Sequence, residues 1–170
     1  MRQHNGMRPQ DIVILLKLLS LRDKPWQYRD LASELYIPIS EISGSLKRSE
    51  KAGLYNETSR NVHRQSFMEF IQYGLKYVFP VSPGTMITGT ATAHSHPFYK
   101  NYFPSEMQYA WPNDDGDMRG LGIEPLHPNV PKAAKMDIKL YKLLASIDIL
   151  RVGRTRELKM AIDELKKEIL

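Results

Sequence analysis

Cysteine is absent from the chain. That excludes a disulfide framework, a thiolate nucleophile and any zinc or iron–sulfur site held by sulfur. It also suits a reducing compartment, so a cytoplasmic location is expected. Long hydrophobic runs are lacking too: nowhere do about eighteen apolar residues follow one another, the length that a membrane helix needs. The run from Ile12 to Leu21, behind Arg2 and Arg8, has the outline of a signal peptide. Asp11 and Lys17 interrupt that outline, and the following Leu-Arg-Asp-Lys-Pro holds no small-residue cleavage site, so the run reads as a buried helix.

Catalytic and ligand motifs are equally scarce. No Gly-x-Ser-x-Gly elbow occurs. Residues 84–89 have the outer glycine spacing of a phosphate loop, but Thr90-Ala91 stands where Lys-Ser/Thr belongs. Asn113, Asp115, Asp117 and Glu124 fit four positions of a calcium loop, yet Met118 replaces its obligatory glycine, which leaves an acidic turn. Asp114 and Asp115 are adjacent, and adjacency does not make a catalytic dyad. His94 and His96 would share one face of an extended strand. A metal site there needs a third ligand, His127 or an acid from 114–117, and the plain reading is two polar histidines. Neither an enzyme nor a cofactor is expected.

What the chain does have is an uneven charge. Its net +5 divides into +4 over residues 1–78, −3 over 79–131 and +4 over 132–170. Basic ends around an acidic middle suggest a surface that faces a polyanion.

Pro9 and Asp11 open a first helix whose apolar face runs to about Arg22. Lys24-Pro25 breaks it. A second helix is expected from Gln27 to Tyr36, then a turn at Ile37-Pro38-Ile39, because Pro38 removes a donor and disfavours helix at Ile37. Ser40 is placed to cap a third helix that ends near Gly53. Residues 54–62 read as a small hairpin or wing, and 64–78 as a fourth helix stopped by Pro80. Eight of the eleven prolines fall in 80–131, together with Phe98, Tyr99, Tyr102, Phe103, Tyr109 and Trp111. An irregular segment packed on the helices is expected there, serving as a cover or as part of a ligand pocket. Helical pattern returns over 132–170, ending in the stripe Leu158, Ile162, Leu165 and Ile169, which suits core completion or a homodimer seam. The expected class is mainly α with a small β wing. The expected parts are a winged helix-turn-helix at 10–79, the proline-rich segment, and C-terminal helices.

The third helix carries the functional expectation. At about 100° per residue, Ile42, Leu46, Ser49 and Gly53 share one side, while Ser40, Gly44, Lys47, Arg48 and Lys51 share the other. Small residues at the tip and cations behind suit entry into a DNA major groove. The forked guanidinium of Arg48 suits a base contact, and Lys47 and Lys51 suit phosphates. Ser43 and Ser45 are secondary contacts. Arg29 is a phosphate clamp, and Thr58, Ser59, Arg60, Asn61, His63 and Arg64 are wing contacts. Replacing Lys47, Arg48 and Lys51 together is expected to leave the fold intact. The plainer alternative is a solvated charged face on a protein-assembly domain.

Residues 10–64 resemble the DNA-binding part of winged-helix transcriptional regulators. The runs Arg60-x-Val62 … Phe70 … Gly74 … Tyr77-x-Phe79-Pro80, Arg119-Gly120-Leu121-Gly122-Ile123-x-Pro125-Leu126 … Val130-Pro131 and Leu140-Tyr141-x-Leu143-Leu144-Ala145 … Asp148-x-Leu150-Arg151-x-Gly153-Arg154 extend the likeness. Together they are similar to a family of small bacterial winged-helix proteins described as transcriptional regulators, over about residues 10–160. His63 and the Met- and Tyr-rich middle depart from its pattern. The resemblance implies a regulator that binds double-stranded DNA, and reading paired half-sites implies a homodimer. Two other classes remain open. One is an antitoxin or adaptor that binds a partner through 80–131; the other is a regulator that senses a metal or ligand.

Overall fold

The computed structural model describes residues 5–104 and 107–170; Arg2 and residues 105–106 of the proline-rich segment lie outside it. More than half of the chain is helical, with two strands in one small sheet and three in another. Among the described residues no helix is long and apolar enough to cross a membrane.

The first helix, α1 (Pro9–Leu21), begins with proline at a position whose amide would be unpaired in any case. Asp11 reaches back to accept the Arg8 N–H at 2.8 Å. Helix α2 (Tyr28–Leu35) starts the same way, with the Gln27 N–H donating to Asp30. It stops at Tyr36, whose left-handed φ of 56° cannot continue a helix. Helix α3 (Ile39–Lys51) follows after residues 36–38. Its N-cap is Pro38, with a fixed φ of −56°; Ser40 lies inside the first turn and is not the cap. The C-terminus closes as expected at Gly53 (φ 77°), where the Leu54 N–H bonds to the Ser49 carbonyl and the Gly53 N–H to that of Glu50.

Strands β1 (Tyr55–Asn56) and β2 (Asn61–Val62) form the hairpin expected over 54–62, pairing Tyr55 with Val62 and Asn56 with Asn61. The fourth helix is divided into α4 (Arg64–Tyr73) and α5 (Leu75–Val78), because Gly74, at φ −120°, leaves the helical region.

The segment expected to be irregular contains a sheet. Strands β3 (Met86–Ala91), β4 (Tyr109–Pro112) and β5 (Met118–Gly122) each pair with both of the others, closing a three-strand ring. β3 runs antiparallel to β4 and β5, and those two run parallel to each other. Closure this tight requires glycine: a Cβ on Gly89 would stand 1.9 Å from the Trp111 carbonyl oxygen, and one on Gly116 2.2 Å from that of Gly89. His94-Ser95-His96, expected as extended strand, instead enters a 3-10 turn at Ala93–Ser95.

Helices α6 (Val130–Met136), α7 (Ile138–Val152) and α8 (Thr155–Ile169) complete the chain. The core is continuous across all three stretches. Every residue from Asp11 to Leu19 in α1 and from Leu143 to Leu150 in α7 is buried, and these two helices pack on each other. In the C-terminal stripe, Leu165 and Ile169 are fully buried and Leu158 and Ile162 half-buried, with α8 against α7 and α4. Leu165 and Ile169 of the stripe are therefore spent on core completion.

Two polar knots sit inside this core. Lys17, 4% exposed, pairs with Glu34 and with Asp137, the latter at 2.7 Å. Burial opposes its charge, but the hydrogen bonds to Asp137 and Glu34 outweigh that and raise its pKa. Asp148, 2% exposed, accepts from Trp111 Nε1 (2.6 Å), Thr92 Oγ1 (2.7 Å) and Arg151 Nη1 (3.0 Å). Arg151 also donates to the carbonyls of Phe79 and Glu124, so one carboxylate ties the strand ring to α7 and to the end of α5. Replacing Asp148 by Ala strands an indole N–H and a guanidinium in the interior. Chemical denaturation should show a loss of about 3–5 kcal/mol; a loss below about 1 kcal/mol would mean that the knot is not structural.

Candidate nucleic-acid interface

The inner face of α3 is as the helical wheel requires, with Ile42 and Leu46 buried against α1 and α2. Ser49 is buried beside them, and so is Ser45, which removes Ser45 from the predicted contacts. Neither hydroxyl has a hydrogen-bond partner among the described residues. Ser40, Lys47 and Lys51 are exposed, and Ser43 and Gly44 half-buried.

Arg48 departs from its predicted role. Its Nε and Nη2 donate to the two oxygens of Asp11, at 2.9 and 2.7 Å. Asp11 is fully buried and the Arg48 side chain is 17% exposed. The fork proposed to read a base is spent on a carboxylate within the chain. The reason is geometric: Arg48 lies only about 60° round the helix from Ser45, so its long stem folds back towards α1. The hydrogen bonds to Asp11 raise its pKa further, against the effect of burial. Asp11 itself could have been found in the sequence, since Ile14, Leu15 and Leu18 place it on the inward stripe of α1, where an acid needs a partner.

The remaining predicted residues gather around the hairpin. Arg29 is exposed in the first turn of α2 and shares with Arg60, Tyr28 and Tyr55 a groove of about 550 Å³. Burial raises the pKa of the Tyr55 hydroxyl. Arg60 adopts φ 55°, lies 3.9 Å over the Trp26 ring, and donates to the Trp26 carbonyl at 3.0 Å. Ser59 donates its N–H to Asn56 Oδ1, which shapes the tip of the hairpin. Thr58, Asn61 and His63 are exposed. Arg64 opens α4 and donates to the Ile169 carbonyl at the end of α8, at 3.0 Å. A second groove, of about 510 Å³, joins Ser59, Arg60, Asn61 and Arg64 to Arg22 and Lys24, two cations that the sequence reading missed.

The signals in the middle of the chain resolve into structure. Residues 113–117 form the acidic turn between β4 and β5, where Asn113 Oδ1 accepts from the Asp115 N–H. Trp111 and Tyr99 are buried, Tyr99 meeting Ser146 at 2.6 Å, and Tyr141 donates to the Ala91 carbonyl. Tyr99 and Trp111 therefore pack inwards on α7, Phe98, Phe103 and Tyr109 are half-buried, and Tyr102 is exposed. His94 Nε2 stands 3.5 Å from Glu157 Oε1; His96 Nδ1 accepts the Phe98 N–H, with its ring centroid 4.2 Å from that of Tyr141. Among the described residues no three His, Cys, Asp or Glu side chains gather into a metal site. Burial lowers the pKa of His94 and of His127. It lowers that of His96 to about 4, assisted by the nearby Lys142.

Comparison with family models, with curated proteins and with solved structures finds no match, so the functional reading rests on the chain's own residues.

Arg48 must be left out of any test of the outer face. Arg48→Ala leaves the Asp11 carboxylate buried without its partner and should cost about 3–5 kcal/mol in denaturation, whereas Lys47→Ala and Lys51→Ala should each stay within about 0.5 kcal/mol. Equal, small effects would show that the Asp11 pair contributes nothing.

The histidines predict a pH window. Unfolded, His96 titrates near 6.5; folded, it stays neutral down to about 4. Its contribution is complete above pH 6.5 and is lost as pH falls towards 4, by about 3 kcal/mol at most. His96→Asn, which keeps an acceptor for the Phe98 N–H, should flatten the fall in Tm over that range. A fall as steep as that of the parent chain rules out His96 as its source.

Proposed function

We propose that this chain is a sequence-specific double-stranded DNA-binding protein of the winged helix-turn-helix type, acting as a transcriptional regulator. The observation that carries the reading is the presentation of α3. Its inner side is packed on α1 and α2, while Ser40, Lys47 and Lys51 stand exposed on the outer side. In this reading α3 enters the major groove, and β1–β2 is the wing. Small residues at its tip allow close approach. With Arg48 engaged by Asp11, base contacts fall to Ser40, Ser43 and Lys47, the ammonium of Lys47 suiting the guanine acceptors O6 and N7. Lys51, Arg29 and Arg60 meet phosphates, which set the register without reading sequence. Paired half-sites call for a homodimer.

The rival reading, a partner docked on 80–131, has less to support it, because Trp111 and Tyr99 of that segment are buried in the core.

Selection of bound fragments from random duplex DNA is the direct test, and an enriched motif is the expected result. With these three cations at phosphate, log affinity should fall with log salt at a slope of roughly −3 per protomer. The Lys47→Ala/Lys51→Ala variant should keep its Tm, lose the motif and flatten the slope by about one. No enrichment, or an affinity indifferent to salt, would sink the reading.

A further inference from the structure

The second groove beside the hairpin has no part in presenting α3. Its walls are the end of α1, the loop from α1 to α2, and β2 with the residue that opens α4; no residue of α3 lines it. Four cations converge there, Arg22, Lys24, Arg60 and Arg64, against the single acid Asp23. Asp23 makes no ion pair with either neighbour, and among the described residues Arg22 and Lys24 have no carboxylate within ion-pair distance. Arg60 is held over Trp26 and Arg64 is tethered to the end of α8, so two of the four guanidinium and ammonium groups are fixed in place and two are free. A smaller adjoining groove of about 270 Å³ shares Arg22, Asp23 and Arg64, but its added lysines are already matched, Lys139 by Glu168 and Lys167 by Glu164, so the unmatched charge stays in the larger groove.

Backbone conformation makes the clustering harder to dismiss as a solvated face. Among the described residues four non-glycine residues have positive φ: Arg22, Tyr36, Arg60 and Ala93. Two are arginines, and both line this groove. Glycine or asparagine adopts that conformation with less strain, so cations stand where a purely structural turn would favour neither. Ser59 and Asn61 add neutral donors, and Leu18 and Leu19 form part of the wall.

We propose that this groove is a phosphate-binding site, separate from α3 and able to hold a phosphate-bearing group of about nucleotide size. Converging guanidinium forks match the tetrahedral oxyanion through paired hydrogen bonds. The phosphate belongs either to a free phosphorylated small molecule or to a duplex backbone passing the outer edge of the hairpin. The chemistry of recognition is the same for both.

Pyrophosphate is the probe, followed by calorimetry and by the indole N–H signals of the two tryptophans. Trp26 lies at the groove and should shift on addition; Trp111, deep in the core, should not. Arg22→Gly/Lys24→Gln should weaken pyrophosphate binding at least about tenfold, while the Tm holds or rises because glycine relieves the positive φ at position 22. Lys24→Gln alone, which leaves the turn untouched, should weaken it less. A duplex that displaces pyrophosphate assigns the site to the DNA backbone, and a duplex that binds alongside it assigns the site to a free ligand; either outcome supports the proposal. Lys47→Ala/Lys51→Ala should lose duplex yet keep pyrophosphate. If the parent chain binds pyrophosphate and no duplex, the reading of α3 falls and this site stands. Parent-like pyrophosphate binding by the double variant, or none by the parent chain, overturns the proposal.

Discussion

The salt bridge between Asp11 and Arg48 is the interaction on which the outward face of the protein depends. A carboxylate taken wholly out of water is costly unless its oxygens are satisfied. Here both oxygens accept from one guanidinium, and the Arg8 N–H adds a third bond. The partners sit on α1 and α3, so the pair fixes how one helix lies across the other. That in turn fixes which α3 side chains reach solvent.

The same economy recurs on the other side of the core. Asp148 gathers an indole, a hydroxyl and a guanidinium from separate parts of the chain. Burial pushes its pKa up, and Arg151 pulls against that. The three-strand ring is too small to enclose a core of its own, and it is tied to α7 where Trp111 and Thr92 meet the carboxylate. This accounts physically for the run Asp148-x-Leu150-Arg151.

Helices α1, α2, α3, α7 and α8 and the short hairpin were legible because each has a strong local signal. Proline opens α1, Gly53 closes α3, and apolar residues recur at helical spacing. The strand ring was not legible. Its strands are four to six residues long and interrupted by Gly89, Pro112 and Gly120, which weaken any alternating pattern. Its pairing is set by closure rather than by propensity. In the candidate interface, exposure of Lys47 and Lys51 followed from the wheel, but the fate of Arg48 did not. A wheel gives the direction in which a side chain leaves the backbone and says nothing of a partner on another helix. Ser40 was misplaced for a related reason, since Pro38 starts α3 two residues sooner.

One consequence concerns the order in which the chain is made. The walls that enclose α1 include α7, and Asp137, one of the two carboxylates that neutralise Lys17, lies 120 residues further along. A ribosome therefore releases an oily helix whose ammonium has only Glu34 to meet long before its lining is complete. Until Asp137 arrives, the nascent N-terminal half exposes the kind of surface that molecular chaperones hold. Covering of α1 is complete only once α7 is made, and any translation pause inside the strand ring would lengthen that exposure.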